Sequence, residues 1–459
     1  MNIRHSKQLD MLHGSLIDKI LLFALPIAAS SILQQLFNSA DIAVAGKFAG
    51  STAQSAVGVN GPIINLLINL FVGLSVGANV AIANYIGQGK QKEAREVVHT
   101  AIPVAVISGF FLLILGQFAA PPMLKLINTP EDTIVQAAAY LRIYFLGMPF
   151  IMIYNFGAAI LRSIGDTKRP LICLVISGVI NVGLNLLFVI VFHLGAVGVA
   201  IATTVSNGIS ASLVFYFLLH AEETVRVDMR RFTIDKLHLR KMIVIGIPAG
   251  VQGMIFSFSN LYIQSAVNSF GSGAIAGYTS AANFESFTFF VLNSFSQAAV
   301  TFTGQNFGAR QFDRCKKIFR LCTLLGLLST CVMCVCFVIA REPLLRLFTG
   351  DPEAIRYALL RVLRVTVFAW IPVLYEIPGS ALRGIGHSLL PTVLTVIGTF
   401  ALRMVWVYTI FARYNSFQIL VTVYPVTWAL TAVFVLTAYL LVRKKEFSKQ
   451  GGADAFLLK

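Results

Sequence analysis

Asp41 is a carboxylate inside an apolar run, residues 17–45, whose other charges, Asp18 and Lys19, sit at its start. If that run is a helix, Gln34, Asn38, Asp41 and Ala45 share one face. Two amides one helical turn apart, Asn181 and Asn185, lie in a second apolar run, and the hydroxyl of Thr203 lies in a third. One carboxylate, two amides and a hydroxyl supply only oxygen ligands to a cation. Such a set holds a hard monovalent cation, Na+, or surrounds an acid that binds and releases H+. The bland alternatives are that Asp41 caps a helix end in water, and that Asn181 and Asn185 are hydrogen-bonded glue between helices, worth about 0.6 kcal/mol per bond.

The second half of the chain has its own isolated charges, Glu285, Glu376 and Arg403, together with Asn260. Helical rise puts Glu285 and Arg403 at a similar depth, roughly 15 Å below the outer side, so either an ion pair between them is expected, or substrate or proton binding by Glu285. Phe71, Phe256, Phe258, Phe284 and Phe287 are candidates to line a cavity for flat molecules. Pro26 and Pro248 remove a backbone donor from the helices that carry them, giving either a fixed kink or a hinge. Five of the six cysteines fall between 315 and 336, in a basic-to-apolar stretch without histidine or zinc spacing, so they read as helix packing and no metal centre is expected apart from Na+ at the Asp41 set.

The elements that hold these residues follow from composition. Of 459 residues 57% are hydrophobic and 12% charged, and the mean hydropathy is +0.78. A soluble domain carries roughly 25% charged residues. Apolar runs long enough to cross a bilayer recur near 17–45, 57–86, 97–120, 133–160, 171–193, 196–219, 240–269, 274–304, 318–340, 355–382, 390–412 and 417–442. The fold class is therefore an all-α integral membrane protein with twelve transmembrane helices. On that frame Asp41, Asn185 and Thr203 fall roughly 8–12 Å below the outer ends of their helices. A carboxylate there costs at least about 2.5–3.5 kcal/mol, which marks Asp41 as functional by default.

The net charge of +16 is confined to short clusters between the runs. That pattern fits loops facing anionic lipid and excludes nucleic acid as a partner. One set of loops and termini carries 25 Lys and Arg, the alternate set 5. Both termini are thus expected in the cytoplasm. The N-terminus has no signal-peptide pattern, so the first helix is expected to act as the insertion signal.

The chain repeats. Pro26 matches Pro248, Asn38 matches Asn260, Pro130–Glu131 matches Pro352–Glu353, and Arg142 matches Arg364, all 222 residues apart. Leu161-Arg162-Ser163-Ile164-Gly165 matches Leu382-Arg383-Gly384-Ile385-Gly386, and Pro170 matches Pro391, at an offset of 221. Six helices per repeat is an even number, so the halves are parallel, and a site between them is expected. The expected division is an N-terminal six-helix lobe over 1–220, a basic cytoplasmic linker over 221–241, a C-terminal six-helix lobe over 242–445 and a cytoplasmic tail over 446–459.

Taken in order, several segments resemble the multidrug and toxic compound extrusion (MATE) family: Asn38-Ser39-Ala40-Asp41-Ile42-Ala43-Val44-Ala45-Gly46, the Gly304-Gln305-Asn306-Phe307-Gly308-Ala309-Arg310 turn, the two Leu-Arg-x-Ile-Gly turns, and the stretch from Asn181 to Thr203 with Gly195, Gly198 and Ala202. The resemblance covers nearly the whole chain. It implies a cation-coupled antiporter of the cell membrane that expels amphipathic, often cationic, organic compounds, needs no cofactor, exchanges H+ or Na+, and works as a monomer among lipids. It also implies a coupling role for Asp41. Two departures stand out. Some members of the family have a second acid where this chain has Asn185, and their helix-10 acid falls about one turn before Glu376, where this chain has Pro372.

Rival classes fare less well. A lipid-linked oligosaccharide flippase should have a cationic central cavity, and the buried charge here is mixed. A major facilitator should carry a basic signature that the loop from Gly87 to Ala94 lacks. An enzyme is not expected, since HExxH, GxSxG and GxxxxGK[ST] are all missing.

Overall fold

The structure is a computed structural model and describes residues 9–127, 129, 131–346 and 349–448. Pro130 of the repeat, Arg4 and Lys7, and the tail beyond 448 lie outside these. Among the described residues the regular structure is helical, with no strand. Nine helices among the described residues are long and apolar enough to cross a bilayer: α1 (Ile17–Ala49), α2 (Ser51–Gly87), α3 (Gln91–Leu126), α5 (Lys168–Val191), α6 (Gly195–Leu219), α7 (Lys236–Asn268), α9 (Phe312–Ile339), α11 (Leu389–Tyr414) and α12 (Phe417–Ser448). Two further spans are bent pairs: α4, Thr133–Leu146 with Met148–Ser163 at 49°, and α10, Pro352–Phe368 with Val373–Gly384 at 47°. The remaining span, α8 (Ser272–Gly308), has 37 residues but is rich in Ser, Thr, Asn and Gln. These are the twelve transmembrane helices expected from the apolar runs, and all twelve runs fall on them.

The chain divides into two compact units. Of the described residues the first holds Leu25–Gly250, and the second Met11–Ala24 with those from Val251 onward. This differs from the expected division in two places. The segment 221–241 is packed on the first unit rather than a free linker. Val225 and Val227 are buried in that unit's core, Asp228 N–H donates to His99 Nε2 at 3.0 Å, and His238 Nε2 meets Glu96 Oε2 at 3.1 Å. The start of α7 follows it there, because glycines let backbones touch. A Cβ on Gly73 would sit 2.2 Å from Gly250 N, and one on Gly77 would sit 2.2 Å from Met242 O. Without a hydrophobic driving force between helices in lipid, such close backbone approach is a main source of attraction.

Conversely, residues 11–24 belong to the second unit. Buried Asn306 donates from Nδ2 to Met11 O at 3.1 Å, Arg314 donates to the carbonyls of Met11, His13 and Gly14, and Phe23 packs edge-on against Phe302. The last turns of α8 and Arg314 of α9 thus tie down residues 11–24.

The repeat is visible in the backbone. Gly165 and Gly386 both take positive φ, 87° and 93°, at the ends of α4 and α10. Asp166 N–H returns to Leu161 O at 3.0 Å, and His387 N–H to Leu382 O at 2.9 Å, the long bond of a Schellman cap. The last position of the Leu-Arg-x-Ile-Gly motif is glycine in both halves because that cap needs a left-handed residue.

Candidate functional site

In the first unit α1, α5 and α6 bring Asp41, Asn181, Asn185 and Thr203 into one hydrogen-bonded group. Asp41 is buried. Asn185 Nδ2 donates to Asp41 Oδ1 at 2.5 Å and to Asn181 Oδ1 at 3.2 Å. Thr203 Oγ1 lies 3.2 Å from Asp41 Oδ2 and 2.9 Å from Val199 O, and Asn181 Nδ2 donates to Thr203 Oγ1 at 3.4 Å. The hydroxyl has one proton and two acceptors, so it serves either Asp41 or Val199 at a time.

Local sequence explains why the helices meet there. Gly178 precedes Asn181 by three residues and Asn185 by seven, on one face of α5. A Cβ at Gly178 would fall 1.9 Å from the ring of Phe37 in α1. The missing side chain is what lets α5 lie against α1. Beyond Asn185 the helix opens into a π turn, Leu187–Val191, a local feature frequent at functional sites. Tyr140 and Tyr144 of α4 stack on each other, 6.1 Å between centroids, within electrostatic reach of Asp41. Nothing in their spacing marked them.

Asn185 Oδ1 is buried without a hydrogen-bond partner among the described residues. That orphaned oxygen, with Asp41 and Asn181 Oδ1 nearby, suits a cation. The Asn185 amide nitrogen on Asp41 Oδ1 does not, since it already occupies the carboxylate. The group as arranged suits proton binding directly, and Na+ after the Asn185 amide turns over. Among the described residues no cluster of three His, Cys, Asp or Glu suits a transition metal.

Gln34 and Asn38 share the face of Asp41 but are exposed and stand outside this group. Pro26 lies in α1 beside the start of the first unit, with Ser30 Oγ donating to its carbonyl at 2.8 Å, and Pro248 lies in α7 close to that unit's end.

The second unit contains a cavity of about 290 Å³ lined by aromatic rings, with Glu285, Asn260 and Arg361 on its wall. The expected pairing of Glu285 with Arg403 is not what forms. Glu285 pairs with Arg361 of α10: Arg361 Nε donates to Oε1 at 2.9 Å and Nη2 to Oε2 at 2.7 Å. Depth alone could not tell Arg361 from Arg403. Direction around the helix decides it, and α8 packs against α10. Arg403, fully buried in α11, donates instead to Asn260 Oδ1 at 3.0 Å and Ser259 Oγ at 3.2 Å. Glu376 lies in α10 before Arg383, whose Nη2 donates to Gln252 Oε1 at 2.5 Å. Of the five phenylalanines expected at a cavity, Phe256 lines this one. Phe284 is buried, stacked on Phe337.

A model of the MatE family matches residues 26–187 and again 248–409. The chain belongs to the MatE family. The two MatE segments stand 222 residues apart, the offset of the matched prolines and asparagines. Probable multidrug resistance protein YoeA of Bacillus subtilis is 28% identical over 437 residues, covering 93% of this chain and 94% of that protein. Probable multidrug resistance protein NorM of Thermotoga maritima is 27% identical over 394 residues, 84% of each. Among solved structures, a MOP superfamily transporter from Pyrococcus furiosus has a TM-score of 0.90 at 20% identity, and an outward-facing multidrug resistance MATE family transporter 0.89 at 21%. Each covers 96% of this chain and 99% of the other.

As a MatE protein the chain is a multi-pass membrane transporter of small molecules in the multidrug efflux family, not an enzyme, and it needs no cofactor. Its two MatE segments carry unlike charge. At the 222 offset Ile263 stands where the first segment has Asp41, and Arg403 stands where it has Asn181.

Proposed function

We propose that the chain is a secondary active antiporter that exports amphipathic organic compounds, cationic ones among them, in exchange for protons bound at Asp41. The observation that carries this is the divided hydroxyl of Thr203. When Asp41 is ionised, Thr203 turns its O–H onto Oδ2. When Asp41 is protonated, its own O–H donates to Thr203 Oγ1, and the threonine proton returns to Val199 O. Both states keep every oxygen of the pair bonded, so the site can be loaded and unloaded without leaving a buried group unmatched. Cationic substrates and the proton compete for the same negative charge, which is the coupling an exchanger needs. Pro26 and Pro248 serve as hinges in α1 and α7 for alternating access. Both termini face the cytoplasm, in keeping with the Lys and Arg asymmetry of the loops, and the protein works in the cell membrane as a monomer.

Sodium is the second reading, favoured by the orphaned Asn185 Oδ1. Asp41, Asn181, Asn185 and Thr203 would then be the ligands.

The test is efflux from proteoliposomes under a proton gradient and, separately, a sodium gradient, with wild type and Asp41→Asn. The asparagine keeps shape and hydrogen bonding but cannot titrate, and its amide donates to Thr203 as the protonated acid would. Gradient-driven efflux should fall to background while equilibrium substrate binding persists, since an amphipathic ligand gains most of its affinity from burial. Wild-type efflux by Asp41→Asn under either gradient would show that Asp41 does not couple that ion.

A further inference from the structure

Two residues on the wall of the second unit's cavity carry buried N–H groups without acceptors among the described residues. Arg361, on its wall and 3% exposed, uses Nε and Nη2 on Glu285 but leaves Nη1 without a hydrogen-bond partner among the described residues. Trp428, also on the wall and buried, leaves Nε1 unpartnered. Arg403 stands one side chain behind, its Nη2 unpartnered among the described residues and its acceptors Thr427 Oγ1, Ser259 Oγ and Asn260 Oδ1 all neutral. Three buried N–H groups without acceptors in one neighbourhood is a costly arrangement unless something supplies the acceptors.

Charge points the same way. Glu285 answers Arg361, while Arg403 donates only to neutral acceptors among the described residues. The Tyr424 ring lies between the two guanidinium groups, its centroid 5.0 Å from Arg361 Cζ and 4.5 Å from Arg403 Cζ. The two are thus no farther apart than the sum of those distances. A buried, unanswered guanidinium beside a cavity stabilises an anion within it. The rest of the wall, with Phe256 stacked on Phe289 at 6.2 Å, offers aromatic faces rather than charge.

We infer that this cavity binds the anionic head of an aromatic amphiphile, a carboxylate or phosphate monoanion, received by Arg361 Nη1 and Trp428 Nε1 with Arg403 behind them. The first unit then presents an acid and the second a net positive site, which equips one chain for cationic and for anionic compounds. As a substrate site this rests on the export reading above. As a binding site it stands alone, so the test measures equilibrium binding with no ion gradient.

Full-length protein in phosphatidylcholine nanodiscs is titrated with 1-naphthyl phosphate and 2-naphthoate, and with neutral methyl 2-naphthoate, by fluorescence anisotropy. The anions should bind, and the ester roughly tenfold or more weakly, the usual worth of a hydrogen bond to a charged group. Trp428→Phe removes one donor and keeps the ring. It should weaken 1-naphthyl phosphate roughly tenfold by the same measure and leave the ester unchanged. Arg403→Gln should weaken the anion at least as much. If that variant does not fold, Trp428→Phe still decides. A methyl ester that binds as tightly as naphthoate, or wild-type affinity for 1-naphthyl phosphate in Trp428→Phe, would overturn the inference. Phosphatidylglycerol added to the nanodiscs identifies the source of the anion. Competition seen in wild type and lost in Trp428→Phe assigns the site to a lipid headgroup; no competition assigns it to a soluble anion.

Discussion

Arg361 of α10 grips Glu285 of α8 through two parallel hydrogen bonds, at 2.9 and 2.7 Å, while its guanidinium carbon sits 3.7 Å from the centre of the Tyr278 ring. Arg361 is buried and Glu285 mostly so, and removing one partner strands the other. Glu285→Gln or Arg361→Gln should each lower stability by about 3–5 kcal/mol, and the double variant should recover part of that loss. Unfolding of the detergent-solubilised protein measures it. A double variant no more stable than the worse single variant would remove the pair from the structural account.

Gly178 and Phe37 set the distance between α5 and α1. Gly178→Ala forces the Phe37 ring aside and should cost about 1–3 kcal/mol, the usual penalty of overpacking. It should also pull Asn185 off Asp41 and depress efflux. Phe37→Ala in the same chain should restore both. If efflux in Gly178→Ala matches wild type, the close approach is not what assembles the site.

Asn185→Asp supplies the second acid that this chain lacks. Two carboxylates at one site share a proton or a cation, and a bound sodium ion relieves their repulsion. The ratio of sodium-driven to proton-driven efflux should rise at least several-fold over wild type in proteoliposomes. An unchanged ratio would mean that the position does not select the ion.

Asp235 lies just outside α7 and accepts the backbone N–H of His238 on Oδ1 at 2.9 Å. That bond holds its carboxyl below its ordinary value of 3.8. A depressed carboxyl stabilises the folded form above its unfolded pKa and loses that effect as pH falls through its folded value. Hydrogen exchange should therefore show the first turn of α7 protected at pH 6 and progressively less so below about pH 4. In Asp235→Ala protection should be low throughout and independent of pH. Equal pH dependence in both proteins would count against the cap.

The asymmetry of Lys and Arg between loop sets predicts a cytoplasmic C-terminus. Ser448→Cys, in a chain whose exposed Cys336 is replaced by serine, should resist an impermeant thiol reagent applied to intact cells and react after lysis. Ready labelling of intact cells would reverse the orientation.

The sequence by itself determined the twelve spans, because a helix in a bilayer needs about 20 apolar residues and nothing shorter or more polar satisfies its backbone there. It determined the repeat, because residue identities recur at a fixed offset. The membership of the Asp41 group was legible too: a buried carboxylate is costly enough to be rare, and Asn181, Asn185 and Thr203 were few among apolar neighbours at its depth. Tertiary structure decided what depth cannot: the direction each side chain takes around its helix. That is why Glu285 meets Arg361 and not Arg403, why Gln34 and Asn38 share the face of Asp41 without joining its group, and why Tyr140 and Tyr144 come within its reach. Packing also decided where the units divide. Segment 221–241 looked like a linker by charge, yet Val225, Val227 and His238 bury against the first unit. The glycines that bring α7 onto α2 do so by having no side chain, which leaves no periodic pattern in the sequence to read.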